Sequence, residues 1–156
     1  MTIMENLKSL RTRIFDSTAP AAAILVRGLV GVVFLSEGIQ KFLFPAALGV
    51  GRFVKIGIPF PDVTAPFVGV VEILCGTLIG IGLLTRPAAI ALVIDMVVAV
   101  ATTKFPILRD KGFWAMAHEA RADWSMLLGS LFLIVVGAGR LSIDARLARP
   151  KIKSDG

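Results

Sequence analysis

The sequence predicts an all-α integral membrane protein built as a four-helix bundle, and three observations carry that prediction. The chain of 156 residues is 56% hydrophobic, with a mean hydropathy of +0.82, well above that of a soluble domain. Its apolar residues fall in separate runs of roughly twenty, the length that crosses a bilayer. Two of those runs hold a carboxylate near their middle: Glu72 in residues 65–84, and Asp95 in the run that follows. An ionised carboxylate at a helix centre costs about 3 kcal/mol on insertion scales. A chain that keeps two must satisfy them inside a bundle or use them.

The elements follow in order. Residues 3–15 place Ile3, Leu7, Leu10 and Ile14 on one stripe, with Lys8, Arg11 and Arg13 between them. This is an amphipathic segment suited to a membrane interface, or a plain first turn leading into the first span. Spans are expected at about residues 19–44, 65–84, 87–103 and 124–139. The first is too long for the apolar core of a cleaved signal, and Arg27 interrupts it, so it reads as retained. Residues 45–63 hold Gly49, Gly51, Gly57, Pro59 and Pro61 and will not continue a helix. Phe53, Val54, Ile56 and Phe60 suit a loop lying at the outer interface or folded over the bundle. Only Thr85, Arg86 and Pro87 join the second and third spans, which makes them antiparallel neighbours. Residues 104–123 read as a longer polar connection with Trp114 and the run from His118 to Asp123. The fourth span is short and needs Asp123 and Arg140 at the interfaces. Residues 1–156 are thus one transmembrane domain, with nothing left over for a soluble one.

Charge and cysteine usage narrow the class. With four spans, one side holds Lys8, Arg11, Arg13, Arg86, Arg140, Arg146, Arg149, Lys151 and Lys153. The other holds Lys41, Arg52, Lys55, Lys104, Arg109, Lys111 and Arg121. The excess on the first side places both termini in the cytoplasm. The net charge of +6 then reads as contact with a membrane surface, and no aromatic-rich basic motif supports nucleic-acid binding. Cys75 is alone, so no dithiol relay can form within the chain. His118 is the single histidine, so one chain cannot build a bis-histidine haem or a two-histidine metal centre. No metal site and no evident cofactor motif is expected.

Helical spacing then says where the polar residues point. Gly69, Glu72, Gly76 and Gly80 share a face of the second span, and Gly76 with Gly80 is a small-residue pair that lets helices approach. Glu72 is therefore expected to face the packed side, against Lys41, Lys104 or Arg121. Ala88, Ala91, Asp95, Ala99 and Thr102 share a face of the third span. Arg27, Val30, Phe34, Glu37 and Lys41 share one of the first. Arg27 either reaches the inner surface along its own stem or pairs with Asp95. The bundle is expected to be polar in its outer half and dry in its inner half apart from Arg27, its outer rim closing into one charged cluster. The candidate polar site is Glu37, Lys41, Glu72, Asp95, Lys104, His118, Glu119, Arg121 and Asp123. A bland reading stands beside it: Glu72 and Asp95 fixing helix register, His118 an idle rim residue, Cys75 a small core residue.

Several motifs together resemble the DoxX family. They are Gly38-Ile-Gln-Lys41 in the first span, the Gly57-Ile-Pro59 loop, and Glu72 followed by Gly76 and Gly82-Leu-Leu-Thr-Arg86. Thr103-Lys104, His118-Glu-Ala-Arg121-Ala-Asp123 and the ending Gly137-Ala-Gly-Arg140-Leu-Ser142-Ile-Asp144 complete the set. The resemblance covers about residues 22–146. It implies a small four-helix protein of the bacterial inner membrane, similar to the DoxD subunit of thiosulfate:quinone oxidoreductase, with relatives linked to redox complexes or to assembly of membrane partners. The expected function is a quinone-interacting or accessory subunit of a membrane redox complex, quinone being the cofactor such a subunit would meet. The alternatives are a membrane scaffold or assembly factor, and a small-solute or proton pathway. The expected partners are the lipid bilayer and membrane or redox proteins. Catalytic residues, the oligomeric state (a homo-oligomer included) and whether the chain is an enzyme stay open at this point.

Overall fold

The computed structural model describes residues 20–148. The expected amphipathic segment 3–15 and the basic residues Arg149, Lys151 and Lys153 lie outside the described residues. Within them the fold is all-α. The elements are α1 (Ala23–Leu43), α2 (Val50–Lys55), α3 (Pro61–Ile81), α4 (Thr85–Lys111), α5 (Phe113–Glu119), α6 (Arg121–Val136) and α7 (Ile143–Ala148).

Each long helix has a local reason for its ends. α1 closes at Phe44, because Pro45 cannot extend it. α3 opens with Pro61 in its first turn, followed by Asp62, a proline where no amide partner is needed and a negative charge at the positive end of the helix. It stops at Gly82, whose φ of 72° is open to glycine without penalty. The Gly82 and Leu83 amides donate back to the Ile79 and Leu78 carbonyls, which satisfies two of the helix's last acceptors.

α4 differs most from expectation. It runs to Lys111, two turns past residue 103, and α5 follows after Gly112. The polar connection expected over residues 104–123 is thus mostly helical. Arg109 and Lys111 sit in its last turn, where cations suit the helix dipole, and Gly112 at φ 82° ends it.

α1, α3 and α4 are the helices long and apolar enough to cross a membrane. α6 packs against α1 and α4, but its 16 residues reach only about 24 Å, short of a hydrocarbon core of about 30 Å. The chain is therefore an all-α membrane protein with three candidate spanning helices, α1, α3 and α4, and the expected fourth span is the shorter helix α6 packed on α1 and α4. Leu25, Val32, Val63, Ile94 and Val135 lie outward and exposed, as lipid-facing side chains must.

α1 and α3 make the closest approach. A Cβ at Gly31 would meet the Gly76 carbonyl oxygen at 2.8 Å and the Gly80 amide at 2.9 Å, and one at Gly38 would meet the Gly69 carbonyl oxygen at 2.7 Å. Beside this seam, Val30, Phe34, Ile79, Leu92, Met126 and Leu133 form the apolar core between α1, α3, α4 and α6.

Candidate functional site

Two polar groups occupy opposite ends of that apolar core. At one end Lys41, in the last turn of α1, donates to the Glu72 carboxylate of α3 at 2.5 Å. Glu72 is only 4% exposed. The close packing of α1 on α3 makes this contact: with Gly38 against Gly69, Lys41 reaches across to Glu72 one turn along. Asp95, half-buried on α4, lines the same cavity as Glu72 and Lys41 and interacts with both. Three helices thus contribute one ammonium and two carboxyls to one buried point.

This group borders a cavity of about 510 Å³, within the usual size range of small-molecule sites. Its walls are mainly apolar, with Val33 and Phe34 of α1, Phe67 and Val68 of α3, Met96 of α4 and Met126 of α6. Phe53 of α2 is buried against it, so the segment after α1 folds over the bundle. Glu37, Arg52, Thr102, Thr103 and Asp123 add further polar atoms. Lys104 pairs with Asp123 at 3.1 Å, tying α4 to α6 beside the cavity.

The expected rim does not close into one cluster. Glu37, Lys41, Glu72, Asp95 and Asp123 share the cavity, and Lys104 joins them through Asp123. His118, Glu119 and Arg121 do not line it. His118 and Glu119 border a separate hollow with Ile107 and Lys111, and Arg121 donates to the His118 carbonyl oxygen at 2.5 Å. The extra helix α5 causes this, since it carries the histidine run along a surface instead of across the mouth. Of the three partners expected for Glu72, the structure selects Lys41.

The other end holds Arg27, the expected exception to a dry inner half, and also Asp144. Arg27, 2% exposed, donates to the Ile79 and Gly80 carbonyl oxygens at 3.0 and 2.8 Å. It also donates to those of Ala138 and Leu141 at 3.1 and 2.7 Å. It neither reaches the surface nor meets Asp95; it binds the last acceptors of α3 to the turn after α6. Asp144, 1% exposed, accepts from the Leu84 and Thr85 amides at 2.8 and 3.0 Å, and its own amide donates to the Gly82 carbonyl oxygen at 2.8 Å. Leu84 sits at φ 49°, which costs a non-glycine residue about 1–2 kcal/mol. Asp144 offsets that cost by capping α4 from a distant segment. Its place in the sequence motif Arg140-Leu-Ser142-Ile-Asp144 is the one signal that could have found it, and spacing alone gives that signal no meaning.

The DoxX family model matches residues 22–104. An uncharacterized membrane protein of Mycobacterium tuberculosis, Rv3486, is 53% identical over 143 residues, covering 88% of each chain. A Bacillus subtilis protein named "Putative oxidoreductase CatD" is 26% identical over 121 residues, covering 78% of this chain and 83% of that one. No solved structure matches.

Proposed function

The chain belongs to the DoxX family of membrane proteins, and from that premise we propose that it serves a membrane redox complex as a quinone-interacting or accessory subunit in the bacterial cytoplasmic membrane. The observation that carries the reading is the buried Lys41–Glu72–Asp95 group at one end of a mainly apolar cavity. A quinone head needs a donor near a ring oxygen and a nearby group that can hand over a proton. Its tail needs an apolar slot. Lys41 is a donor, Glu72 and Asp95 can hold and pass a proton, and Phe34, Phe67, Met96 and Met126 supply apolar wall. The name of the Bacillus subtilis relative lends the redox reading further support. Electrons would come from a partner protein.

Charge argues for a neutral ligand. At the buried end one ammonium already faces two carboxyls, Glu37 adds a further one, and Asp123 is taken up by Lys104, so among the described residues no free cation stands beside Glu72 and Asp95. An oxyanion such as thiosulfate would meet repulsion there, whereas a quinone carries no charge to repel. A continuous solute or proton pathway is disfavoured by the fully buried Val30, Ile79, Leu92 and Leu133 between this group and Arg27.

The test is Glu72→Gln, which keeps volume and hydrogen bonding and removes the titrating proton. Quinone reduction by the partner complex, assayed in membranes at matched protein level, should fall by about tenfold or more if Glu72 passes protons. Unchanged turnover would favour the scaffold reading, in which Glu72 only holds α1 to α3.

A further inference from the structure

We propose that the groove between α2 and α4 binds the phosphate headgroup of an anionic membrane lipid through Arg52 and Lys55. The groove has a volume of about 570 Å³ and is lined by Arg52, Lys55, Thr102, Thr103 and Pro106 among others. Arg52 and Lys55 are exposed and stand three positions apart on α2, so they lie side by side. The ion pairs among the described residues are Lys41–Glu72 and Lys104–Asp123. Arg52 and Lys55 take part in neither, and their side chains make no hydrogen bond to a described residue. Two adjacent cations without a carboxylate, facing a groove, are complementary to a phosphate: the guanidinium can grip two oxygens at once and the ammonium adds a point charge.

Position identifies the source of the phosphate. The groove begins at Ala46, two residues after Phe44, where the spanning helix α1 has just ended; across it, Pro106 follows Phe105 on α4. Phe44 and Phe105 are 54% and 66% exposed. Outward apolar rings next to basic residues mark where the hydrocarbon layer gives way to the charged headgroups, so a phosphate in the groove would leave its acyl chains over these two rings. The acidic cavity on the other side of Arg52 repels a phosphate and confines it to the groove. The headgroup would in turn hold Arg52 outward, away from the carboxylates within. The inference stands independently of the redox reading, because its readout is lipid retention and not turnover.

The test uses the purified full chain in nanodiscs of phosphatidylcholine mixed with phosphatidylglycerol, released into the gas phase for native mass spectrometry. Wild type should retain phosphatidylglycerol over phosphatidylcholine. Arg52→Gln with Lys55→Gln should lower that preference by about tenfold, while Arg109→Gln leaves it unchanged. Should the double variant fail to fold, Lys55→Gln alone is read the same way, with a preference reduced about threefold or more. Equal retention of the two lipids would overturn the proposal, as would a preference that survives removal of both charges. Thermal stabilisation in detergent by inorganic phosphate, matching that by phosphatidylglycerol, would overturn the lipid source.

Discussion

Removing Glu72 leaves Lys41 facing Asp95 alone, whereas removing Lys41 leaves two carboxyls facing each other with no cation. The two losses are therefore unequal. Breaking a buried pair by deleting one partner costs about 3–5 kcal/mol when nothing compensates. Glu72→Ala should fall below that range, because Asp95 remains within reach of the ammonium. Lys41→Met should reach it, and thermal unfolding of both variants in one detergent would order them. The reverse order would mean that Asp95 does not share the charge of Lys41. Helical periodicity was enough to turn Glu72 inward, since Gly69 and Gly76 stand on the same face. It offered Lys41, Lys104 and Arg121 as equal partners, because the choice depends on how far α1 slides along α3, and no spacing within one helix encodes that. Arg27 shows the same limit: its four carbonyl acceptors come from the end of α3 and the turn after α6, atoms that every residue carries and that leave no trace in a sequence.

At the scale of the element, the α1–α3 seam is built on glycines spaced by seven on both helices, Gly31 with Gly38 and Gly69 with Gly76. A seven-residue interval is two turns of a helix wound against a neighbour, the common arrangement of membrane helices. The four-residue interval of Gly76 and Gly80 pointed to the correct helix: the Gly80 backbone meets Gly31 in the seam, but Gly80 is exposed and its own Cβ direction is open. Its Cβ would meet nothing within 4 Å, while one at Gly76 would meet the Leu35 amide at 2.7 Å and the Gly31 carbonyl oxygen at 2.8 Å. Gly76→Ala should therefore destabilise by about 1–3 kcal/mol, the cost of forcing packed backbones apart, and lower the yield of folded protein. Gly80→Ala should be tolerated at that position. Folded yield by fluorescence-detected size exclusion would compare them, and equal loss at both sites would contradict the seam. The boundaries of α1 and α3 were legible because Pro45, Pro61 and Gly82 punctuate them. The extension of α4 past residue 103 was not, since Lys104, Arg109 and Lys111 read as loop residues until the helix that they continue is known.

For the whole molecule, the spanning helices α1, α3 and α4 alternate in direction, so the segment carrying Lys55 and the end of α4 carrying Lys111 share one face of the membrane. We propose, from the distribution of Lys and Arg, that this face lies outside the cytoplasm. In a Cys75→Ala background, single cysteines replacing Lys55 and Lys111 should both react with a membrane-impermeant maleimide added to intact cells. Protection of both until the cells are opened would reverse the orientation; protection of only one would break the pairing of α3 with α4. The site depends on this arrangement, because Lys41, Glu72 and Asp95 come from three different helices and meet only when their polar ends lie at one level.

By itself the sequence determined that this is a helical membrane protein, that three of its apolar runs form helices long enough to cross a bilayer, and that Glu72 and Asp95 turn inward. These are properties of single helices, set by apolar length and by a period of 3.6 residues. The tertiary structure decided the rest: Lys41 as the partner of Glu72, the cavity beside them, the separation of His118 and Glu119 from it, and the capping of α4 by Asp144. Each of these depends on the register and distance between elements far apart in the chain. Backbone contact at four glycines and hydrogen bonds to backbone atoms set that register, and neither is carried by the pattern of side chains along a single helix.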